Sequence, residues 1–247
     1  MKRSTLGRLL STDPSREATV KAAPMEPHHQ VVDVLARAPL FRALDERVLR
    51  QLAGRLPQRV VAKGAAIFVQ EELGDRMFVL ADGVVKLVLR SARGQVIELV
   101  RHRPPAVFGE VSVLDGGPRS ATAEAVQESR LLVIAREEFL RLMRSDMQVA
   151  DALLRSLGEM VRRTTRQMSA LVFLDMRARV ARQLLQLAGD GTATPPVTQS
   201  ELAEMVGATR QTVNRALRGL EQDGHIRMGR RIRILDEERL RQRTFDW

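Results

Sequence analysis

The stretch from Thr198 to Leu235, TQSELAEMVGATRQTVNRALRGLEQDGHIRMGRRIRIL, constrains the fold more than any other part of the chain. Thr198 opens a TQSE capping box, which starts a helix by satisfying orphan backbone donors at its first turn. That helix is short, with Leu202, Ala203 and Val206 on its buried face, and Gly207 supplies a tight turn. Thr209 then caps a second helix that turns Val213, Leu217 and Leu220 inward. Two helices joined by a glycine-containing turn of this length form a helix-turn-helix. The residues that follow alternate and turn at Gly229, which predicts a basic two-stranded wing. The outer face of the second helix carries Arg210, Gln211, Asn214, Arg215 and Arg218. Arginine donates bidentately to guanine O6 and N7 in the major groove, and Gln211 offers both a donor and an acceptor. Thr198, Thr209 and Thr212 are placed to hydrogen-bond phosphates and set the docking angle. Double-stranded DNA is the expected partner.

Charge supports this without deciding it. The 247 residues carry a net charge of +10, and apart from Lys2, Lys21, Lys63 and Lys86 every basic residue other than histidine is arginine. An anionic partner fits that balance, and so does a genome that favours arginine codons. The chain has no cysteine, so disulfides, zinc–thiolate sites and iron–sulfur clusters held by cysteine are excluded. No apolar run approaches the roughly 18 residues that span a bilayer, so no membrane partner is expected and a cytoplasmic location is.

Upstream the texture changes three times. Residues 1–30, rich in Ala, Pro, Ser and charge, are expected to be a disordered extension. A helical spacing follows and ends before Pro57. From Val60 to about Ile134 short β-rich runs (AAIFVQ, MFVLADGVVKLVLR, QVIELV, AEAV, RLLVI) alternate with turn signals at Asp82-Gly83 and Arg93-Gly94. This spacing predicts a small antiparallel barrel or jelly roll. At Ser145 the pattern SDMQ reads as another capping box. A long helix then carries Leu153, Leu157, Met160, Thr164, Gln167, Leu171 and Leu174 at alternating steps of four and three. That is the spacing of a paired-helix seam, and an ordinary core-facing helix would show it too. A further amphipathic helix, MRARVARQLLQLA, leads to the helix-turn-helix.

In order and spacing, GDRMFVLADGVVKLVL, FGEVSVLDGGPRSATA, ALVFLDMRARVARQLLQLA and TQSELAEMVGATRQTVNRAL resemble the cyclic-AMP receptor protein/FNR family of bacterial transcription regulators, over about Leu40 to Leu235. The resemblance implies an α+β chain in four parts: the extension 1–30, a cyclic-nucleotide-binding β-roll of jelly-roll type over 31–144, a dimerisation helix over 145–175, and a winged helix-turn-helix over 176–247. It implies a homodimer that reads paired half-sites about one helical turn apart. In members of the cyclic-nucleotide-binding type a GE…RS element holds the ligand, and here that element is Gly109-Glu110 and Arg119-Ser120. Arg119 could meet a cyclic phosphate with a charge-assisted fork and Ser120 could add a hydroxyl. Gly109 would let backbone amides approach, and Glu110 could accept from a ribose hydroxyl. The plainer alternative is an ion pair between Glu110 and Arg119. Counted back from FLD, Thr164 and Thr165 fall where such members present hydroxyls to the base; a polar pair that only fixes helix register is the alternative.

Cyclic AMP is the expected effector, with cyclic GMP, cyclic di-GMP or a ligand-free regulator as alternatives. A threonine hydroxyl serves an amine or a carbonyl equally well. Haem is not expected, because His102 is the only histidine of the sensor region and reads as a surface residue; no metal is expected either. RNA polymerase is a further partner if DNA binding activates, and no surface for it is legible. A familiar pattern in the family has Arg-Glu where this chain has Arg210-Gln211, so the half-site is expected to differ at that base pair. An enzyme acting through Glu110, Asp115 and Arg119 lacks a positioned base and nucleophile. An architectural DNA-compacting protein would not need so specific a recognition helix.

Overall fold

The computed structural model describes residues 20–22, 28–92, 94–189, 194–195 and 197–244. The chain divides into two compact units, residues 1–86 with 102–149, and residues 87–101 with 150–247.

The first unit opens with two helices, α1 (His28–Arg37) and α2 (Glu46–Ala53), where the periodicity predicts one helical stretch. Pro39 accounts for the break, because a residue before proline is pushed out of the helical region. Val31, Val34 and Leu35 of α1 and Leu49 and Leu52 of α2 are buried. Part of the expected disordered extension has regular structure. Val20–Ala22 forms β1, which pairs with β2 (Gln58–Val61) at Val20↔Val61, and α1 begins at His28. The edge of β2 offers the unpaired ladder that such a segment can complete. The rest of residues 1–27 lies outside the described residues.

The strands β3 (Ala66–Phe68), β4 (Arg76–Asp82), β5 (Val85–Arg90), β6 (Val96–His102), β7 (Ala106–Phe108), β8 (Thr122–Ala125) and β9 (Ser129–Ala135) complete the expected roll. One sheet runs β1-β2-β9-β4-β7 and the other β3-β8-β5-β6. Met77 to Leu80 of β4 are all buried, which fits a strand with partners on both edges and cover on both faces. The Asp82-Gly83 turn falls where the sequence puts it. Gly83 has φ 97°, and a Cβ there would lie 2.3 Å from Ser129 Oγ. Only glycine fits such a position.

Between β7 and β8 lies a short helix, α3 (Glu110–Asp115), and after β9 comes α4 (Arg136–Ser145). The long helix α5 runs Met147–Phe173. Its start differs in detail from the expected capping box. Ser145 ends α4 and donates to Leu142 O, while the Asp146 carboxylate accepts from Gln148 N at 2.9 Å. Aspartate caps as well as serine, and here it sits one residue nearer the helix.

The second unit holds most of α5, then α6 (Met176–Ala188), α7 (Gln199–Val206), α8 (Arg210–Gln222), the wing strands β10 (Ile226–Arg227) and β11 (Arg233–Ile234), and α9 (Glu237–Gln242). Asp175 caps α6, accepting from Ala178 N at 2.8 Å. Leu184, Leu202, Val213, Leu217, Leu220 and Leu240 are fully buried in one core shared by α6, α7, α8 and α9. Each such side chain contributes roughly 1.5–3 kcal/mol on burial.

On α5 the apolar seam differs from the expected one. Leu153 and Leu174 are buried within the chain, and Gln167 Nε2 donates to Leu99 O at 2.6 Å. The large apolar side chains left exposed are Met147, Leu154, Val161 and Met168, spaced seven residues apart, with Leu171 of the expected seam, Val172 and Phe173 beyond them. A repeat of seven is the period of a helix that pairs with another.

Candidate ligand site and nucleic-acid interface

The β-roll site is built from two loops that clasp each other. Arg119 N donates to Glu72 O at 2.7 Å and Glu71 N to Arg119 O at 3.0 Å, so the loop before β4 and the loop after α3 share two backbone bonds. Glu71 takes φ 69°, uncommon for a residue with a side chain. The result buries Arg119 to 4% exposure. Its Nη1 donates to Gly109 O at 2.9 Å and to Ser112 Oγ at 2.7 Å, and its Nη2 to Arg76 O at 2.7 Å. The guanidinium lies 4.2 Å from the centroid of the Phe68 ring, one of three phenylalanines, with Phe78 and Phe108, packed ring on ring.

Arg119 Nε is buried and has no partner. A buried unpaired donor of this kind costs about 1–3 kcal/mol and calls for an acceptor. Burial lowers the Arg119 pKa, and the negative charges of Asp75, Glu72 and Glu110 oppose that shift. Arginine stays protonated throughout.

Gly109 caps α3 with φ 79°, and a Cβ there would meet Arg119 Nη1 at 3.0 Å. Gly74 is tighter still, with Ser112 Oγ at 2.1 Å and Arg119 Cζ at 2.9 Å from a Cβ position. Glu110 is the half-buried first residue of α3, and Ser120 is exposed beside Arg119. Gly109, Glu110, Arg119 and Ser120 therefore come together as the sequence places them. Phe68, Gly74, Arg76 and Ser112 were not singled out in the sequence. The signal for Gly74 is visible only in space, where it makes room for the arginine. His102, expected on the surface, is half-buried and stacks on Phe108 at 5.8 Å between ring centroids. Its neighbour in space comes from β7, a strand too short to be read from the sequence.

Thr164 and Thr165 are exposed on α5, in the second unit. Thr165 Oγ1 donates back to Val161 O at 3.0 Å.

The helix-turn-helix follows its sequence closely. Thr198 Oγ1 accepts from Glu201 N at 3.2 Å and Glu201 Oε2 accepts from Thr198 N at 2.9 Å, which completes the capping box of α7. Gly207 takes φ 64° in the turn. Thr209 Oγ1 accepts from Thr212 N at 3.2 Å and shares a bond with Thr212 Oγ1 at 2.9 Å. The hydroxyls of Thr198, Thr209 and Thr212 are thus already engaged in their own helix ends. On α8, Arg210, Gln211, Arg215 and Arg218 are exposed, and Asn214 is half-buried, donating to Gln199 Oε1 at 3.1 Å. The wing pairs Ile226↔Ile234 and Arg227↔Arg233, with Arg230 and Arg231 exposed at its tip.

Glu201 also lies 3.5 Å from Arg101 Nη1, and Arg101 forms a bidentate pair with Glu98 at 2.9 and 2.7 Å. Burial would raise the Glu201 pKa, but the bonds from Thr198 and the Arg101 charge outweigh it and hold the carboxyl below its ordinary value. A lowered carboxylate pKa adds stability above the unfolded pKa, and that stability is lost as pH falls through the folded value. Glu201→Ala is expected to cost about 1 kcal/mol at pH 7. In thermal unfolding, its gap to the wild type should close once the pH drops below the carboxylate range. A gap that persists in acid would assign the loss to packing.

A β-roll holding a buried, incompletely bonded arginine, together with a winged helix-turn-helix, defines a class: a ligand-sensing, DNA-binding regulator. Comparison with known proteins agrees. Residues 58–146 match the cyclic nucleotide-binding domain and residues 178–243 the Crp-like helix-turn-helix domain. The chain is 34% identical over 221 residues to the CRP-like cAMP-activated global transcriptional regulator of Mycobacterium tuberculosis, covering 86% of this chain and 99% of that one. It is 35% identical over 193 residues to the cyclic AMP receptor protein of Thermus thermophilus, covering 78% of this chain and 89% of that one. The crystal structure of Thermus thermophilus catabolite activator protein superposes with a TM-score of 0.51 at 33% identity, over 84% of this chain and 98% of that one.

The chain belongs to the cyclic-AMP receptor protein/FNR family, as a cyclic-nucleotide-binding transcription regulator. Among the described residues no helix is long and apolar enough to cross a membrane, and no group of three His, Asp or Glu side chains could hold a metal ion.

Proposed function

We propose that this regulator is a homodimer that binds cyclic AMP in the β-roll and, so loaded, a palindromic DNA site through α8. The observation that carries the effector assignment is Arg119. It is fixed by Gly109, Ser112 and Arg76, stacked on Phe68, and left with a buried Nε–H that has no acceptor. A cyclic phosphate monoanion supplies that acceptor and the opposite charge. The cAMP-activated relatives share this architecture by sequence.

In this reading Ser120 adds a hydroxyl to the phosphate and Glu110 accepts from the ribose. Thr164 and Thr165 reach the base from the helix seam. Arg210, Gln211, Asn214 and Arg215 read base edges, and Thr198, Thr209 and Thr212 steer phosphates with whatever hydrogen-bonding capacity their caps leave. Effector binding favours the DNA-competent arrangement only by as much as it prefers that state. RNA polymerase is the further partner if the bound regulator activates, and the cytoplasm is the compartment that supplies both ligands.

Calorimetric titration of the nucleotide-stripped protein with cyclic AMP and, separately, cyclic GMP tests the reading. Saturable heat with cyclic AMP, at one site per chain, is the expected result. Heat from cyclic GMP alone would change the messenger and keep the site. Silence from both would leave Arg119 as scaffold.

A further inference from the structure

Within the helix-turn-helix a side-chain bond joins the two helices. Asn214, on α8, donates from Nδ2 to Oε1 of Gln199, the first residue of α7, at 3.1 Å. Both residues are half-buried, whereas Arg210, Gln211, Arg215 and Arg218 of the same helix as Asn214 are exposed. The two helices do not need this bond as a brace, since Leu202 and Val206 of α7 already share a buried core with Val213 and Leu217 of α8. It acts instead on a side chain at the edge of the face proposed to meet DNA.

Donors and acceptors can be counted. A side-chain amide carries two N–H donors and a carbonyl oxygen. One N–H of Asn214 is taken by Gln199, and neither side chain has another bond among the described residues. Asn214 is left with one donor and one acceptor. The bond also sets which end of the amide is which, because flipping Asn214 alone would turn its Oδ1 against Gln199 Oε1, two acceptors with no proton between them. Adenine offers one acceptor, N7, and one donor, N6–H, along its major-groove edge, whereas guanine offers two acceptors, N7 and O6. The half-engaged Asn214 matches adenine and not guanine. Gln211, exposed and without a bond among the described residues, has no such constraint and can turn its amide either way.

We infer that Gln199 is a positioning residue that makes Asn214 select adenine, and reject guanine, at one base pair of each half-site. The inference rests on the reading of Asn214 as a base-contacting residue. Gln199 touches no base itself and acts through Asn214. Without the Gln199 acceptor, both N–H groups of Asn214 are free, and the amide can turn them toward the two acceptors of guanine.

The test selects binding sites for the full-length protein, with and without cyclic AMP, from a library of DNA duplexes randomised over both half-sites. It compares wild type with N214A, Q199L and Q199E, and then measures affinity for duplexes that differ only at the base pair where N214A loses its preference. Wild type is expected to favour adenine over guanine there by about tenfold or more, the discrimination of one bidentate amide–adenine pair. Q199L removes the acceptor and keeps the bulk, so it should lose most of that preference, with the preferences at other positions and the Tm nearly unchanged. Q199E can only accept, so it should keep the preference while its negative charge weakens binding to every duplex alike. If Q199L instead lowers the Tm, or lowers affinity for all duplexes equally, and leaves the adenine preference in place, Gln199 is a brace or a phosphate contact and the inference is overturned. N214A with every base preference intact would overturn the reading of Asn214, and the inference with it. A library that yields no preferred site would do the same.

Discussion

Replacing Arg119 by alanine is expected to lower cyclic AMP affinity by about a hundredfold or more. A charged hydrogen bond to phosphate is worth about 1.5–3 kcal/mol, and the guanidinium can offer two. The substitution also removes the donor to Gly109 O, Ser112 Oγ and Arg76 O and opens space over Phe68, so thermal stability should fall with it. Arg119→Lys separates the two effects. Lysine keeps the charge and fills the space but has no planar fork, so it should recover much of the stability and little of the affinity. Calorimetry gives the affinity and thermal unfolding the stability. Binding of Arg119→Ala within tenfold of wild type would show that the phosphate does not rest on this residue.

Placing glutamates on the exposed seam, as V161E/M168E, is expected to convert the proposed dimer to a monomer and to remove binding to a two-half-site DNA. Val161 and Met168 are 61% and 60% exposed in the single chain, one heptad apart. Across a two-fold axis each would bury its apolar surface twice, at roughly 1.5–3 kcal/mol per fully buried side chain. The substitutions forfeit that burial and set like charges against each other. Light scattering after size-exclusion chromatography reads the mass directly. As a control, V149E or L153E would unfold rather than dissociate, since those side chains are buried within the chain. A V161E/M168E protein that stays dimeric at micromolar concentration would place the dimer contact elsewhere.

The sequence by itself determined the helix-turn-helix almost to the residue. Its signals are local: Thr198 bonds Glu201, Thr209 bonds Thr212, and Gly207 turns the chain between them. The same holds for the Asp82-Gly83 hairpin and for the grouping of Gly109, Glu110, Arg119 and Ser120, whose family pattern is contiguous in the chain. Tertiary structure decided three things that no local pattern encodes. Arg119 turns inward onto the carbonyls of Arg76 in β4 and Gly109 at the start of α3, and Gly74, more than 40 positions away, is what makes the space. The seam read on the long helix divides between the chain's own core and an exposed face, because Leu153, Gln167 and Leu174 find partners within the chain while Leu171 stays exposed, as do Leu154, Val161 and Met168. And Arg163 and Arg166 of α5, with Arg179 and Arg182 of α6, come to line a single recess. Helical periodicity reports which face is apolar; what covers that face, and which charges gather opposite one another, depends on how the chain folds back on itself.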